Sequence, residues 1–436
     1  MARKRQYQPL EVFLNGQQVG RLSREPSGAI EFQYGADWLQ QKNPFAISLS
    51  LPLREDRYIG APVFAVFDNM LPDGDPIRRH IAERVGAQGT DTFSLLTALG
   101  RDCVGALQFV PEGTEPGAAG GTAAQEINVA DIAHIIRNLA QTPLGVDEDQ
   151  SFRISIAGAQ EKTALMLREG RWYKPIGTTA TTHIIKPQIG MLPNGVDLSH
   201  SVENEYLCLK LVRALGVKAA EADMMQFEDR KALVVTRFDR RWLPDGRLMR
   251  LPQEDCCQAL SVACTRKYQP DGGPSIIQIA GLLKSSDNPE EDIAAFMRAN
   301  VIFWLLGATD GHAKNFSIFL NPAGFKLTPI YDVVSAQPSL DAGQIQRRQF
   351  KLAMSVGDSN HYPIHEILPR HYLQTAKSAG FSQKVMQSIL DDLRETALDA
   401  VEATIAALGS AIPEAVSKPI LDGVAARTDR LAIGPE

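Results

Sequence analysis

This chain has little cysteine and no long apolar run, and both shortages exclude classes of protein. Its five cysteines stand at positions 103, 208, 256, 257 and 264, an odd number without paired C-x-x-C spacing. This pattern argues against a disulfide framework and against a zinc site, and the adjacent Cys256 and Cys257 are expected to pack in a core. No segment approaches the ~18 consecutive apolar residues of a membrane-spanning helix.

Positive charge is not in excess either. The 436 residues include 45 lysines and arginines against 51 aspartates and glutamates, which gives a net charge of −6. A chain without an excess of positive charge is not expected to bind nucleic acid on its own. Residues 1–6 are basic, but no apolar stretch follows them as in a secretion signal. We therefore expect a cytoplasmic protein that does not bind membranes, with one very large domain or two to three ordinary ones.

The most informative segment is residues 307–332, GATDGHAKNFSIFLNPAGFKLTPIYD. Asp310 and Asn315 have the D-x-x-x-x-N spacing of a kinase catalytic loop, in which the aspartate orients the attacking hydroxyl and the asparagine holds Mg²⁺. This spacing alone is a loose pattern. The alternative is a surface hairpin with solvated acids and a turn asparagine.

Two short apolar runs in the same segment predict a β-hairpin. Residues 316–320 and 325–330 flank the turn sequence NPAG at 321–324, which has its glycine late in the turn. Folding the second strand back on the first would return Asp332 to the neighbourhood of Asn315. These two residues would then supply oxygen ligands for one Mg²⁺, a cation that takes its other ligands from water and phosphate.

An upstream helix is predicted to support this loop. Asn288 is the expected N-cap, Pro289 occupies the first helical position, and Glu291 can close a capping box. Apolar residues then recur at helical spacing, namely Ile293, Phe296, Met297, Val301, Trp304 and Leu305. Because Gly307 ends the helix, Asp310 would lie on a loop anchored at both ends, which suits a site that needs fixed geometry.

A small-residue turn at residues 155–163, SIAGAQEKT, could let backbone N–H groups approach an anion. It matches neither the Walker pattern nor the kinase glycine-rich loop, so an ordinary hairpin turn is the alternative. Further along, Lys186 lies near the end of an apolar strand predicted at residues 182–187. Such a lysine either extends to solvent or meets a buried anion. Its position after the turn makes it the candidate for the α- and β-phosphates of ATP.

A third candidate segment is residues 231–241, an apolar strand that runs into a charged turn. We predict a hinge at this point, between a β-rich lobe and a helical lobe. Backbone groups of Thr236, Arg237 and Phe238 could bond the edge of an adenine. The alternative is a plain strand end.

Taken in order, these segments resemble the HipA family of kinases, the toxin halves of bacterial toxin–antitoxin pairs. The resemblance spans nearly the whole chain and is strongest in residues 152–165, 182–186, 237–242, 251–255 and 307–317. It implies an α+β, two-lobed protein-kinase-like fold with a β-containing N-terminal lobe and a mostly helical C-terminal lobe. It also implies an ATP- and Mg²⁺-dependent serine/threonine kinase that phosphorylates glutamyl-tRNA synthetase, thereby inhibiting translation.

The resemblance assigns roles to individual residues. Asp310 would be the catalytic base, and Asn315 with Asp332 would be the Mg²⁺ ligands. Lys186 would bind the nucleotide phosphates. The other nucleotide-binding positions would be Ala157, Gly158, Ala159, Gln160, Glu161 and Lys162 in the phosphate loop, Thr236, Arg237 and Phe238 in the hinge, and His312, Ala313, Lys314 and Tyr331 beside the nucleotide.

Ser155 falls on the position that the family autophosphorylates. A phosphate there would add nearly two negative charges next to the loop that receives ATP. Repulsion, or capture by a nearby arginine such as Arg153, could pull the loop out of its ATP-receiving conformation. We therefore expect an off-switch, and the alternative is a serine that is merely hydrogen-bonded within the turn.

The implied partner is a HipB-like helix-turn-helix antitoxin, with which the kinase would act as a transcriptional co-repressor. In relatives a C-terminal basic pair contacts operator DNA. Lys377 matches one member of that pair, but Gly380 stands where the other, an arginine, would be. Operator DNA is therefore expected to be bound through the antitoxin complex. A second departure is Thr236, where relatives have an acid; a contact made by backbone atoms tolerates this change.

Two other functional classes stay open. A small-molecule kinase of the aminoglycoside or lipid kinase type shares the D-x-x-x-x-N spacing and the later aspartate. A catalytically silent partner in a repressor complex is the other alternative.

The predicted organisation has four parts. Residues 1–110 form an N-terminal α/β subdomain that opens with a hairpin at Asn15-Gly16, and residues 111–149 form a linker and a helix. Residues 150–238 form the nucleotide-binding lobe. Residues 239–436 form the catalytic lobe, with helices predicted near 290–306, 369–379, 382–408 and 413–430.

Overall fold

The computed structural model describes residues 7–139 and 160–432. They form two compact units. Unit 1 comprises the described residues of Met1–Pro187 together with Met225–Thr265 and Phe319–Ala323. Unit 2 comprises Gln188–Met224, Arg266–Ile318 and the described residues of Gly324–Glu436.

Strands dominate the first half of the chain and helices the second half. The strands are β1 (Leu10–Leu14), β2 (Gln17–Arg24), β3 (Ile30–Tyr34), β4 (Tyr58–Ile59), β5 (Leu107–Pro111), β6 (Ala124–Ile127), β7 (Thr163–Arg168), β8 (Arg171–Pro175), β9 (His183–Pro187), β10 (Gly190–Met191), β11 (Asp197–Leu198), β12 (Ala222–Phe227), β13 (Arg230–Thr236), β14 (Arg240–Trp242), β15 (Leu248–Arg250), β16 (Gln253–Asp255), β17 (Ser317–Asn321), β18 (Gly324–Leu327), β19 (Lys351–Val356) and β20 (His361–Pro363). The α-helices are α1 (Ala36–Leu39), α2 (Ala61–Asp68), α3 (Asp75–Val85), α4 (Thr92–Leu99), α5 (Val129–Arg137), α6 (Ser201–Ala214), α7 (Cys256–Ala259), α8 (Ile276–Leu283), α9 (Pro289–Leu306), α10 (Gln337–Asp341), α11 (Pro369–Ser378), α12 (Gln383–Leu408) and α13 (Glu414–Leu431).

Unit 1 opens with a sheet in the order β4-β3-β2-β1-β5, and each pair of neighbours is antiparallel. The predicted hairpin at Asn15-Gly16 is confirmed. Its turn residues have φ of 48° and 83°, the left-handed values that a two-residue type I′ turn requires. On one face of the sheet, the ring of Phe67 from α2 lies 5.5 Å from those of Phe32 and Phe109.

A second sheet in unit 1 has the order β12-β13-β9-β7-β8-β6, in which β12 belongs to unit 1 from Met225 onward. The strands predicted at residues 182–187 and from residue 231 are confirmed as β9 and β13, which pair antiparallel. β6 was not predicted, because its residues, Ala-Gln-Glu-Ile, carry little strand propensity. It forms because it pairs along its length with β8.

Helix α9 is the core of unit 2. All six predicted apolar positions are buried, and neighbouring residues such as Ile302 and Phe303 are buried as well. Gly307 ends the helix with φ of 67°, as predicted. The predicted capping box is wrong: Asn288 is the N-cap, but with φ of −135° and ψ of 70° its side chain makes no capping hydrogen bond.

The helices predicted near residues 369–379, 382–408 and 413–430 are confirmed as α11, α12 and α13. α12 begins at the N-cap Ser382, whose hydroxyl accepts a hydrogen bond from the Val385 amide. It packs against α6, α11 and α13. Among the helices in residues 7–139 and 160–432, none combines the length and the apolarity that a membrane crossing needs.

The five cysteines are buried thiols outside any disulfide. Cys256 and Cys257 are both fully buried in α7, which confirms that they pack in a core.

Candidate active site

The loop that follows α9 holds Asp310 in a fixed backbone. The amide of Gly307 donates to the carbonyl of Trp304, and the amide of His312 donates to the carbonyl of Asp310 at 2.8 Å. A single 3₁₀ turn, Ala313–Asn315, follows. The loop is therefore held by backbone hydrogen bonds on both sides of Asp310, as predicted.

The carboxylate of Asp310 has two aromatic neighbours and remains open to solvent. Its side chain is 53% exposed, and its Oδ1 atom lies 3.8 Å from Nε2 of His312. The same oxygen accepts a hydrogen bond from the hydroxyl of Tyr268. The rings of Tyr268 and His312 meet edge to face, with centroids 4.8 Å apart. Tyr268 was missed by the sequence analysis because the residues around it form no motif.

His312 is the buried member of this group. Burial lowers its pKa below the usual value of histidine, more than the negative charge of Asp310 raises it. The imidazole is therefore neutral near pH 7. Within the described part of the chain, its Nδ1 atom has no hydrogen-bond partner. A buried polar atom in this state is available to a ligand.

Asn315 is tied to the same loop. Its side chain is buried, and its Nδ2 group donates to the backbone carbonyl of Asp310 at 2.7 Å. This bond fixes the amide plane. The bond uses Nδ2 and not Oδ1, and Oδ1 is the atom of the amide group that can coordinate a cation.

The hairpin of β17 and β18 returns the chain to this loop, as predicted. The hydroxyl of Tyr331 donates to the carbonyl of Lys314 at 2.8 Å, next to Asn315. Asp332 follows with φ of 59°, a left-handed conformation that is uncommon for a residue other than glycine and that clusters at functional sites. Its negative charge raises the pKa of His312, as that of Asp310 does, so both carboxylates act on one imidazole.

The donor set fits a hard cation that is shared with a phosphate ligand. Asn315 offers an amide oxygen and Asp332 offers a carboxylate, which are the oxygen ligands that Mg²⁺ prefers. In residues 7–139 and 160–432, no group of three or more His, Cys, Asp or Glu side chains could hold a metal alone. A cation held by Asn315 and Asp332 would therefore need further ligands from outside this pair, such as water or phosphate.

Two buried lysines lie at one end of the second sheet of unit 1. Lys186 is the next-to-last residue of β9 and Lys162 precedes β7, and Thr163 of β7 pairs with Ile185 of β9. Both lysine side chains are buried, so Lys186 does not extend to solvent. Gln160 joins the same end of the sheet, because its Nε2 group donates to the carbonyl of Pro187 at 3.3 Å.

Other phosphate-loop predictions lie outside the described residues: Ser155, Ala157, Gly158 and Ala159. Of the rest of that loop, Glu161 is exposed. At the predicted hinge, Thr236 pairs with His183 across β13 and β9, and the amide of Arg237 donates to the carbonyl of Thr182 at 2.9 Å. The ring of Phe238 packs edge to face on Phe319.

The side chain of Arg237 belongs to a buried ionic cluster in unit 1, which was not predicted. We define the cluster as Asp102, Arg237, Asp239, Arg240 and Arg250, whose side chains are 1–5% exposed. Burial alone would raise the pKa of Asp102, but the three guanidinium groups hold it well below its usual range. Burial, and then the charge of Arg237, lowers the pKa of Arg240 to about 10. Sequence spacing gave no signal for Asp102, because it is far from its partners along the chain.

Known proteins resemble this chain over most of its length. The family profile described as the HipA-like C-terminal domain matches residues 154–401, and that of the HipA N-terminal domain matches residues 10–110. The protein Y4mE of Sinorhizobium fredii is named as a kinase. It is 33% identical to this chain over 397 residues, which are 90% of each chain. The serine/threonine-protein kinase toxin HipA of Shewanella oneidensis is 29% identical over 365 residues, which are 80% of this chain and 78% of the toxin.

A solved structure agrees with these relatives. HipA of Shewanella oneidensis, in a complex with HipB and its operator DNA, superposes with a TM-score of 0.79 at 25% identity, covering 97% of this chain and 96% of that one. The fold is therefore α+β and two-lobed, of the protein-kinase-like class. The chain belongs to the HipA family, whose named members include a serine/threonine kinase toxin. Membership implies in general terms the use of a nucleotide and a divalent metal.

Proposed function

We propose that this protein is an ATP- and Mg²⁺-dependent serine/threonine kinase and the toxin of a type II toxin–antitoxin system. One observation carries the proposal: Asp310 and Asn315 lie on the loop after α9 with the buried His312, and the charges of Asp310 and Asp332 both act on its imidazole. The spacing of the aspartate and the asparagine is that of a kinase catalytic loop, and the later aspartate completes the set of oxygen donors.

The proposed reaction is in-line transfer of the γ-phosphoryl group of ATP to a protein hydroxyl. Asp310 orients the hydroxyl and accepts its proton, which its open carboxylate supports. Asn315 and Asp332 would hold Mg²⁺, which neutralises charge on the phosphates. Lys186 would offset further phosphate charge, and its buried position beside Lys162 favours such an anion.

The remaining nucleotide contacts are also proposals. The hinge residues Thr236, Arg237 and Phe238 would bind the adenine, and His312, Ala313, Lys314 and Tyr331 would lie beside the nucleotide. Among the described residues, Nδ1 of His312 has no hydrogen-bond partner, which supports His312 as a contact of the nucleotide. Ala157 to Lys162 would form the phosphate loop, with Ser155 autophosphorylated as an off-switch.

The proposed protein substrate is glutamyl-tRNA synthetase, and the proposed partner is a HipB-like antitoxin. The relative from Shewanella oneidensis, which was solved with HipB and operator DNA, supports the antitoxin. Operator DNA would be bound through that complex, because Gly380 replaces one member of the basic pair and Lys377 supplies only the other. The reaction would take place in the cytoplasm.

Radiolabel transfer tests the proposal. Wild type and Asp310→Ala are incubated with γ-labelled ATP and Mg²⁺, with and without purified glutamyl-tRNA synthetase. We expect label on the synthetase and on Ser155, absent in the variant. Label on Ser155 alone would keep the kinase and reject the substrate. No label from protein that binds ATP would reject the kinase and favour a catalytically silent repressor partner.

A further inference from the structure

An open cavity of about 270 Å³ lies against Asp310 within unit 2. It is lined by residues of three segments, around 268–271, at 309–310 and at 349–353. Its floor is apolar, since Leu352 and Ala353 are buried, and its rim is polar, since Asp271, Gln349 and Lys351 are exposed. An apolar floor with a polar rim and a carboxylate at one end suits an amino-acid side chain that carries a hydroxyl group.

Tyr268 lines this cavity together with Asp310. Its hydroxyl donates to Oδ1 of Asp310, the oxygen next to His312. A serine or threonine that is about to be phosphorylated must donate its own hydroxyl to the same carboxylate. The phenol therefore makes the contact that an acceptor hydroxyl would make.

The backbone beside Tyr268 is anchored, while its side chain is half-buried. Gln269 makes two hydrogen bonds to Ser355 of β19: its Nε2 donates to Oγ at 2.8 Å, and its Oε1 accepts from the backbone amide at 2.9 Å. The carbonyl of Tyr268 accepts hydrogen bonds from the amides of Asp271 and Gly273 at 3.0 and 2.9 Å. The main chain is thus held in place, and rotation of the Tyr268 side chain is the movement that would free Asp310.

We propose that Tyr268 occupies the acceptor position on Asp310 until a substrate hydroxyl displaces it, and that the adjoining cavity receives the acceptor residue. This inference rests on the proposed kinase function. When the acceptor hydroxyl replaces the phenol, its oxygen bonds to the γ-phosphorus, the bond to the bridging oxygen breaks, and ADP leaves with the electron pair. The proton passes to Asp310 and then to solvent. Without an acceptor, the phenol keeps water from the same position and suppresses hydrolysis of ATP.

Phosphate release without any acceptor tests the position of Tyr268. We expect Tyr268→Phe to hydrolyse ATP about 3 to 10 times faster than wild type, with an unchanged KM for ATP, because one hydrogen bond of about 1 kcal/mol no longer competes with water. Tyr206→Phe on α6 is the matched control, since it also removes one phenolic hydroxyl in unit 2 but outside the cavity. Unchanged or slower hydrolysis in Tyr268→Phe, or phosphate found on Tyr268 itself, would overturn the inference.

The cavity is tested separately with Gln349→Trp. Gln349 is exposed on the rim, so a bulky side chain there narrows the cavity without disturbing the core. With a degenerate pool of peptides that carry one central serine, we expect label transfer to fall at least fivefold relative to the ATP hydrolysis of the same variant. Equal loss of both activities, or loss of neither, would reject the cavity as the acceptor site.

Failure of this inference can be distinguished from failure of the kinase proposal. If wild type and Asp310→Ala hydrolyse ATP equally, both the kinase proposal and the inference about Tyr268 are rejected. If Asp310→Ala is inactive but Tyr268→Phe behaves as wild type, the kinase stands and only the role of Tyr268 is rejected.

Discussion

Glu254 is a carboxyl group that the fold of unit 1 keeps uncharged. Its side chain is buried, and its Oε1 atom accepts a hydrogen bond from the amide of Leu49 at 2.8 Å. Burial raises the pKa of Glu254 from 4.5 to about 8. The unfolded chain ionises near pH 4.5 while the folded chain stays neutral, so the folded state is progressively disfavoured as the pH rises between these values.

We therefore expect wild type to lose stability from about pH 5 to pH 8, and Glu254→Gln to lose much less. The effect is a few kcal/mol at most, at roughly 1.4 kcal/mol for each pKa unit. Thermal denaturation of both proteins across this range measures it, with the exposed Glu402→Gln as a control for loss of one charge. Parallel pH profiles for wild type and Glu254→Gln would contradict a buried neutral carboxyl group.

At the scale of elements, the buried ionic cluster ties β14 and β15 to the chain around Asp102. Asp102 accepts hydrogen bonds from Arg240 and Arg250 at 2.9 Å each, and from the amide of Thr181 at 3.0 Å. The charged side chains of the cluster are buried away from water. The stability of the cluster therefore depends on each charge having a partner of opposite sign.

Removing one acid should therefore leave buried cations without compensation. We expect Asp102→Asn to lower the free energy of unfolding by about 3–5 kcal/mol, measured by urea denaturation. Asp422→Asn breaks an exposed pair with Lys418 on α13 and serves as the control, with an expected loss below about 1 kcal/mol. Similar losses for the two variants would show that the cluster does not stabilise unit 1.

The end of α9 is the second element on which the site depends. Gly307 has a left-handed φ of 67°, and a Cβ atom there would lie 2.7 Å from Cζ of Phe350. Gly170, in the turn between β7 and β8, has a similar φ of 77° but open space around it. Gly307→Ala therefore combines backbone strain with a clash, whereas Gly170→Ala has the strain alone.

We expect Gly170→Ala to cost about 1 kcal/mol of stability and to keep full activity. Gly307→Ala should cost more than that and should slow phosphoryl transfer, because Asp310 follows directly on this turn. Urea denaturation and label transfer measure the two effects. Wild-type transfer by Gly307→Ala would show that the turn does not position the base.

Elements with strong local signals were predictable from the sequence, and contacts between distant segments were not. The periodic apolar stripe and the terminal glycine define α9, and Asn15-Gly16 defines the first hairpin. The capping box failed because the backbone of Asn288, with ψ of 70°, departs from the extended conformation that is typical of an N-cap, and its side chain makes no capping hydrogen bond. The neighbour of Asp310, Tyr268, lies in a segment without periodicity, so only the folded chain reveals that contact.

At the scale of the whole molecule, Lys186 is the proposed source of positive charge for the nucleotide phosphates. We expect Lys186→Ala to weaken Mg²⁺–ATP binding at least tenfold, because a buried ammonium group near the phosphates is lost. Lys174→Ala is the matched control, since this lysine is also buried in the second sheet of unit 1. If calorimetry shows that wild type and Lys186→Ala bind Mg²⁺–ATP equally, Lys186 is not a ligand of the nucleotide.

The most direct test of the central claim compares Asp310→Asn with Asp332→Asn in two assays, calorimetric binding of ATP with Mg²⁺ and transfer of its γ-phosphate. We predict that Asp310→Asn binds as wild type but transfers at least 100-fold more slowly, within the range for loss of a general base. Asp332→Asn should lose both binding and transfer, because the cation loses a ligand. Wild-type transfer by Asp310→Asn would contradict its role as the base, and unchanged Mg²⁺-dependent binding by Asp332→Asn would contradict the proposed cation site.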